Sequence, residues 1–274
     1  MRLVLLGGGT IARLVLEHLQ RGELDGVEVV AVVGRSAASR VATLGREFRV
    51  PFVAGLEAAL EHRPDVVLEA ASHEAVQAHL LPMLEAGLAV IVLSAGALCD
   101  DGLRTEAESA AARGGGLLYV PSGGIGGLDA LKAACAAGVD AVSVSIRVAK
   151  PPAAWKGIPF VSARGVDLDR LAAPKVLFSG PAREGVPHFP QNVNIAAVLS
   201  LAGIGFDRTR LEVVADPGLI RNTHTISVSG PSGAFQVVLE NIPSPDNPKT
   251  AWLACHSALA AVKALHRRGV RYGT

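Results

Sequence analysis

Cysteine is scarce in this chain, with three in 274 residues. Cys99, Cys135 and Cys255 lie far apart, and no two form a CxxC pair. That excludes a disulfide framework and a cysteine-based zinc site, and it reads as reduced thiols in a cytoplasmic protein. Charge of one sign is also lacking. Lysine and arginine number 26 against 25 acids, a net charge of +1, so the chain carries no electrostatic footprint of a nucleic-acid binder. Half the residues are hydrophobic, yet no run approaches the roughly 20 apolar residues of a membrane span. The opening "MRLVLLGGGT" holds only four apolar residues in a row (Leu3 to Leu6) before its glycines. It is not read as a signal peptide. Metal-ligand spacing, a GxSxG elbow, low-complexity segments and internal repeats are all missing.

What is present falls into two rhythms. From Met1 to about Gly138, short β runs alternate with helical stretches: "RLVLL", "VEVVAVV", "DVVLEA", "LAVIVLS" and "GLLYV" each precede a helix. The runs are continuously apolar, as strands covered on both faces are. This predicts an α/β domain, a doubly wound parallel sheet of the Rossmann type. Beyond residue 138, "AVSVSIRV", "KVLFSG", "RLEVVA", "IRNTHTISVSG" and "AFQVVLENI" follow one another with little helix between them. They predict a second α+β domain with a mostly antiparallel sheet. The expected boundaries are 1–125 for the dinucleotide-binding domain and 126–247 for the catalytic and dimerisation domain. A last helix, starting near Pro248 and assigned to 248–274, is free to pack back on the first domain.

"LLGGGTIA" supplies Gly7-x-Gly9-x-x-Ala12 directly after the first strand and at the opening of the first helix. That context gives the motif its meaning. Gly7 permits the turn, Gly9 lets backbone approach a pyrophosphate, and Ala12 allows close helix–strand packing. Thr10 and Ile11 begin the helix whose N-terminus holds the phosphates. Folds of this kind that read NAD usually carry an acid about 20 residues later for the ribose hydroxyl. Here Gly34, Arg35 and Ser36 stand instead. Arg35 and Ser36, with Arg40, suit a 2′-phosphate, so the cofactor reading is NADP or NAD with a lean to NADP. A solvated arginine is the competing reading.

The other carboxyl ends of the strands are small and Gly- or Ser-rich: "EAASHEA", "LSAGAL" and "VPSGGIGGLDAL". Ligands lie beyond such ends. Ser72 is a cofactor candidate with helix capping as its alternative. Glu69 falls beside it, and His73 is read as solvated. Gly123, Gly124, Gly126 and Gly127 mark the crossing into the second domain.

In the second half, alternation puts Ile220, Asn222, His224, Ile226 and Val228 on one strand face. A lone histidine there is more often a satisfied core residue than a catalyst. His188 is a weaker candidate. Lys150, Lys175, Arg183 and Lys249 could hold a carboxylate, with Lys150 and Lys249 preferred. The helix after Pro190 has Asn192 as a possible cap. That leaves Asn194 in the first turn of an apolar helix, where a carboxamide needs another partner.

The stretches "GGGTIA", "PSGGIGGLDAL", "KPPAAW", "VLFSGPAREGVPHFPQNVNIAA", "NTHTISVSG" and "NPKT" together resemble the L-aspartate dehydrogenase family. The resemblance runs through most of the chain. It implies that His224 is the active-site residue and that Gly124 and Asn194 contact the nicotinamide nucleotide. Asn194 then bonds the nicotinamide carboxamide or ribose. The family commonly has alanine at the place of Gly124, a difference a backbone contact tolerates. The resemblance also implies a homodimer, NAD or NADP, oxidation of L-aspartate to iminoaspartate, and supply of that product to NAD biosynthesis. Two other readings stand beside it. One is a related Rossmann reductase of the dihydrodipicolinate reductase type, whose paired-histidine motif is missing here. The other is a non-catalytic nucleotide-binding sensor.

Overall fold

The structure, a computed structural model, describes residues 1–136, 138–190, 193–245 and 247–266. The chain divides into two compact units. Among the described residues, one comprises 1–121 and 255–266, the other 122–254. The division falls a few residues ahead of 125, at the start of the Gly-rich crossing.

The first unit alternates β1 (Arg2–Leu6), α1 (Thr10–Gln20), β2 (Glu28–Gly34), α2 (Arg40–Phe48), β3 (Phe52–Ala54), α3 (Leu56–Leu60), β4 (Val66–Glu69), α4 (His73–Glu85), β5 (Ala89–Val92), α5 (Asp101–Gly114) and β6 (Leu117–Tyr119). The strands pair in parallel in the order β3-β2-β1-β4-β5-β6. This is the doubly wound order, with its switch point between β1 and β4. Val4, Val32, Val67 and Ile91 are buried completely, which is why these strands read as unbroken apolar runs. Neither β3 nor α3 is evident in the sequence. Each is short, and β3 is a half-exposed edge strand.

The second unit contains α6 (Leu128–Cys135), β7 (Ser143–Lys150), α7 (Pro159–Ser162), β8 (Lys175–Pro181), α8 (Ala182–Gly185), α9 (Asn194–Ala202), β9 (Arg210–Ala215), β10 (Asn222–Gly230), β11 (Gly233–Asn241), β12 (Pro243–Ser244) and β13 (Asn247–Ala251). Its main sheet runs β11-β10-β7-β9-β8. Every pair is antiparallel except β7–β9, which is parallel.

Three local expectations change. Ile220 does not belong to the buried face: it precedes β10 and is 87% exposed. The last helix, α10, spans Trp252–His266 rather than starting at Pro248, because residues 247–251 pair with β12 instead. Its expected continuation over 267–274 lies outside the described residues. Val193 occupies the N-cap position of α9, and Asn192 is likewise outside the described residues.

The later turns of α10 belong to the first unit. Ala258, Leu259, Ala261 and Val262 are buried in one cluster with Leu3, Val15 and Leu16.

Candidate active site

The glycine loop follows β1 directly. Gly7 has φ +107, a conformation few side chains tolerate. A Cβ there would also lie 2.6 Å from the Ala70 carbonyl oxygen. Gly9 is exposed and holds the N-cap position of α1 with no side-chain cap, and a Cβ on it would meet nothing within 4 Å. No acid stands in the first turn of α1. The free N–H groups and dipole of an eleven-residue helix, approached over bare glycine backbone, fit a pyrophosphate. Ala12 is buried against the sheet, as close packing demands. Thr10 and Ile11 are half-buried.

At the end of β2, Arg35 and Ser36 are exposed. The acid missing from position 34 has a physical reason. A Cβ on Gly34 would lie 2.8 Å from Val41 Cβ and 3.1 Å from Phe52.

At the end of β4, Glu69 is fully buried. Its carboxylate accepts from the backbone N–H of Ala71 (2.8 Å), Ser72 (3.1 Å) and Ser94 (3.0 Å), and from Ser94 Oγ (2.9 Å). Burial pushes its pKa up against these bonds. Glu69 thus ties together the loops that follow β4 and β5. Ser72 caps α4, accepting from Ala75 N–H at 3.3 Å, so its capping role is real whatever else it does.

In the second unit the register of three strands assembles a polar row. His224 pairs with Val148 on β7 and Leu239 on β11, while Asn222 pairs with Asn241. Side chains alternate along a strand, so Lys150, Asn222, His224 and Asn241 share one face at one end of the sheet. All four are buried. Among the described residues, the buried charged side chains are Glu69 in the first unit and Lys150 in the second.

His224 is held by one edge. Its Nδ1 lies 3.3 Å from the Gly124 carbonyl and 3.0 Å from Asn241 Nδ2, and that amide donates to the same carbonyl at 2.8 Å. Its Nε2 is buried with no hydrogen-bond partner among the described residues. Burial, then the charge of Lys150, lowers the His224 pKa to about 3, opposed by the Gly124 bond. Burial also lowers the Lys150 pKa to about 8. The Lys150 ammonium lies 5.2 Å from the centre of the Trp155 ring. Trp155 in turn donates from Nε1 to the Val214 carbonyl and meets Phe189 edge-on. Trp155 of the "KPPAAW" stretch, backed by Phe189, therefore builds the wall beneath Lys150.

Gly124 is buried beside Ala251, Asn241 and Ile195, and a Cβ there would make ordinary contacts of 3.4–3.8 Å. Alanine fits. Asn194 begins α9, half-buried. The remaining candidates have other occupations. Arg183 is paired through both arms with Asp207, His188 stacks on Phe160, and Lys175 is exposed. The side chain of Lys249 lies outside the described residues. Asn241 escaped the sequence reading. Alternation along "AFQVVLENI" puts it on one face with Phe235, Val237 and Leu239, but only the pairing with Asn222 brings it into the row with His224.

Residues 129–265 match the sequence profile of the family described as aspartate dehydrogenase, C-terminal. Residues 7–121 match that of the homoserine dehydrogenase NAD-binding domain. The L-aspartate dehydrogenase 2 of Bordetella pertussis is 44% identical over 96% of this chain and 96% of its own. The chain belongs to the L-aspartate dehydrogenase family. The crystal structure of the family member from Thermotoga maritima superposes with a TM-score of 0.76 at 26% identity, covering 99% of each chain. A dipicolinate-bound dihydrodipicolinate reductase from Paenisporosarcina sp. TG-14 reaches a TM-score of 0.53 at 16% identity, over 97% of this chain and 94% of its own. It shares the fold alone.

Proposed function

We propose that the chain oxidises L-aspartate with a nicotinamide dinucleotide, giving iminoaspartate that water converts to oxaloacetate and ammonia. The observation that carries this reading is the buried, unpartnered Nε2 of His224 beside the buried ammonium of Lys150. Such a face suits an anion that also brings a proton to be taken. Family membership supports the dicarboxylic amino acid as that anion.

Gly7, Gly9, Thr10, Ile11 and Ala12 hold the pyrophosphate, Arg35 and Ser36 the ribose end, and Ser72, Gly124 and Asn194 the nicotinamide half. The exposed Arg35 and the crowded Gly34 support a lean to NADP over NAD. When bound, the nicotinamide supplies a hydride acceptor at C4. Lys150 pairs with a substrate carboxylate, with Lys249 as the second cation. His224 takes the ammonium proton at Nε2, leaving the nitrogen lone pair to form the C=N bond as the Cα hydride departs. The two substrate carboxylates favour the imidazolium and offset Lys150, moving His224 back towards a working pKa. A homodimer and a supply role in NAD biosynthesis belong to the same reading and rest on the resemblance, and a cytoplasmic location rests on the three scattered cysteines.

The test is spectroscopic. Reduction of NADP and NAD is followed with L-aspartate against L-glutamate, L-alanine and homoserine, and L-aspartate should be strongly preferred. His224→Ala should cut kcat by about 10²–10⁴ with nucleotide affinity unchanged. Absence of turnover with all four amino acids would favour a nucleotide sensor instead.

A further inference from the structure

We propose that Glu69 is a positioning residue for the nucleotide: its carboxylate locks the loops after β4 and β5 into one rim, against which the nicotinamide half of the cofactor is seated. The inference rests on the reading of this crevice as a nicotinamide dinucleotide site. It adds a residue that is fully buried and acts through its neighbours.

Glu69 ends β4 at the switch point of the sheet. Backbone bonds already join this end to both neighbouring strands. The Leu6 carbonyl accepts from Ala70 N–H at 2.9 Å, and the Glu69 carbonyl accepts from Leu93 N–H at 3.2 Å. The side chain adds the loops. Its Oε1 accepts from Ala71 N–H at 2.8 Å, Ser72 N–H at 3.1 Å and Ser94 Oγ at 2.9 Å. Its Oε2 accepts from Ser94 N–H at 3.0 Å. The β4 loop held in this way lies directly against the glycine loop. A Cβ on Gly7 would come within 2.6 Å of the Ala70 oxygen and 3.1 Å of Ala71 Cα. One carboxylate thus fixes the loops after β4 and β5, and the phosphate loop after β1 packs on the first of them.

The donor set calls for an anion. Ala71, Ser72 and Ser94 present backbone N–H groups, which cannot become acceptors, and together they engage both oxygens. Burial works against the charge, and only hydrogen bonds from these two loops oppose it. An apolar side chain could fill such a place at less cost. What the carboxylate adds is a single fixed arrangement of the two loops. A neutral side chain of the same shape cannot reproduce it. In Glu69→Gln the amide NH2 must face either Ser94 N–H or the N–H pair of Ala71 and Ser72, and either choice releases one loop.

The test compares whole and half cofactors on the full-length protein by calorimetric titration. NADP is paired with 2′,5′-ADP, and NAD with 5′-ADP, so that each half ligand reports the glycine loop and the end of β2 alone. Glu69→Gln should weaken the dinucleotide about tenfold or more, the scale of one lost hydrogen bond to a charged group. Its affinity for the matching half ligand should stay within about twofold of the wild type. Backbone amide exchange in the same variant, before any ligand is added, should quicken at Ser94 or at Ala71 and Ser72. Ser94→Ala removes only the Oγ bond and should show the same selective loss at about two- to fivefold, which keeps the inference testable if Glu69→Gln does not fold. Equal losses for whole and half ligands, or unchanged affinities with only a lower Tm, would make Glu69 a packing residue and overturn the proposal. A wild type that binds neither dinucleotide would instead overturn the reading of the crevice beneath it.

Discussion

Gly34 and Arg35 stand side by side at the end of β2, and they bear on the proposed cofactor site in different ways. Arg35 is exposed and long enough to meet a 2′-phosphate. A charge-assisted contact of that kind contributes roughly 1.5–3 kcal/mol. Arg35→Ala should therefore raise the KM for NADP about tenfold or more while leaving that for NAD nearly unchanged. Equal losses with both cofactors would remove Arg35 from the phosphate site. Gly34 is set by space: Val41 Cβ occupies the position a side chain would need. Gly34→Asp alone should lower kcat/KM with NAD rather than create an NAD enzyme, and a gain would show that Val41 yields easily. Lys150 offers a pH signature. Burial holds its pKa down to about 8, well below the ordinary lysine value of about 10.5. Succinate, a dicarboxylate with no amine, should bind as a competitive inhibitor, with Ki rising about tenfold per pH unit above about 8. A flat Ki across that range would exclude Lys150 as the carboxylate partner. The stability effect has the opposite sense. Between about 8 and 10.5 the unfolded chain binds the extra proton, so stability rises with pH there, and Lys150→Met should abolish that rise. At this scale the sequence was unevenly legible. His224 stood out because a titratable residue interrupts an apolar alternation. Asn241 did not, because it ends its strand and only the pairing with Asn222 brings it to the same row.

The parallel strands were legible because burial on both faces leaves an unbroken apolar run, whereas elements decided by contact were not. The segment "NPKTA" has a proline that suits the first turn of a helix, yet it forms β13. Pairing with Pro243–Ser244 overrides local preference, and Ser244 Oγ both donates to and accepts from the Asn247 backbone. β3 and α3 are too short for any periodicity to emerge. The helix that follows β13 carries a sharper consequence. Val262 of α10 is completely buried among residues of β1 and α1. Val262→Ala should cost about 2 kcal/mol, from two lost methyl groups and the cavity they leave. On the same helix Leu253 is 41% exposed, and Leu253→Ala should cost less than about 1 kcal/mol. Denaturant midpoints of the two variants decide it, and equal costs would mean that α10 contributes little to that core.

For the whole chain, the two rhythms of the sequence correspond to two sheets of different kind, one parallel and one mostly antiparallel. The rhythms alone leave the first unit continuous; its discontinuity comes with the last helix, which the sequence leaves free to pack back on the first domain. Its sheet is complete by Tyr119, but Ala258, Leu259, Ala261 and Val262 come from beyond the second unit. On a ribosome this separates order of synthesis from order of completion. The nucleotide-binding sheet emerges first and then waits for roughly 130 more residues, on the order of ten seconds at about 5–20 residues per second. During that interval the apolar faces of β1 and α1 lack their last cover. Stalled nascent chains that end shortly after Pro121 should be cleaved readily by protease within that unit, and chains long enough to release α10 should resist. Equal resistance at both lengths would mean that the first unit closes without its final helix. Until α10 arrives, the unit made first carries uncovered apolar surface of the kind that aggregates or engages chaperones, and the segment made last is the one that closes it.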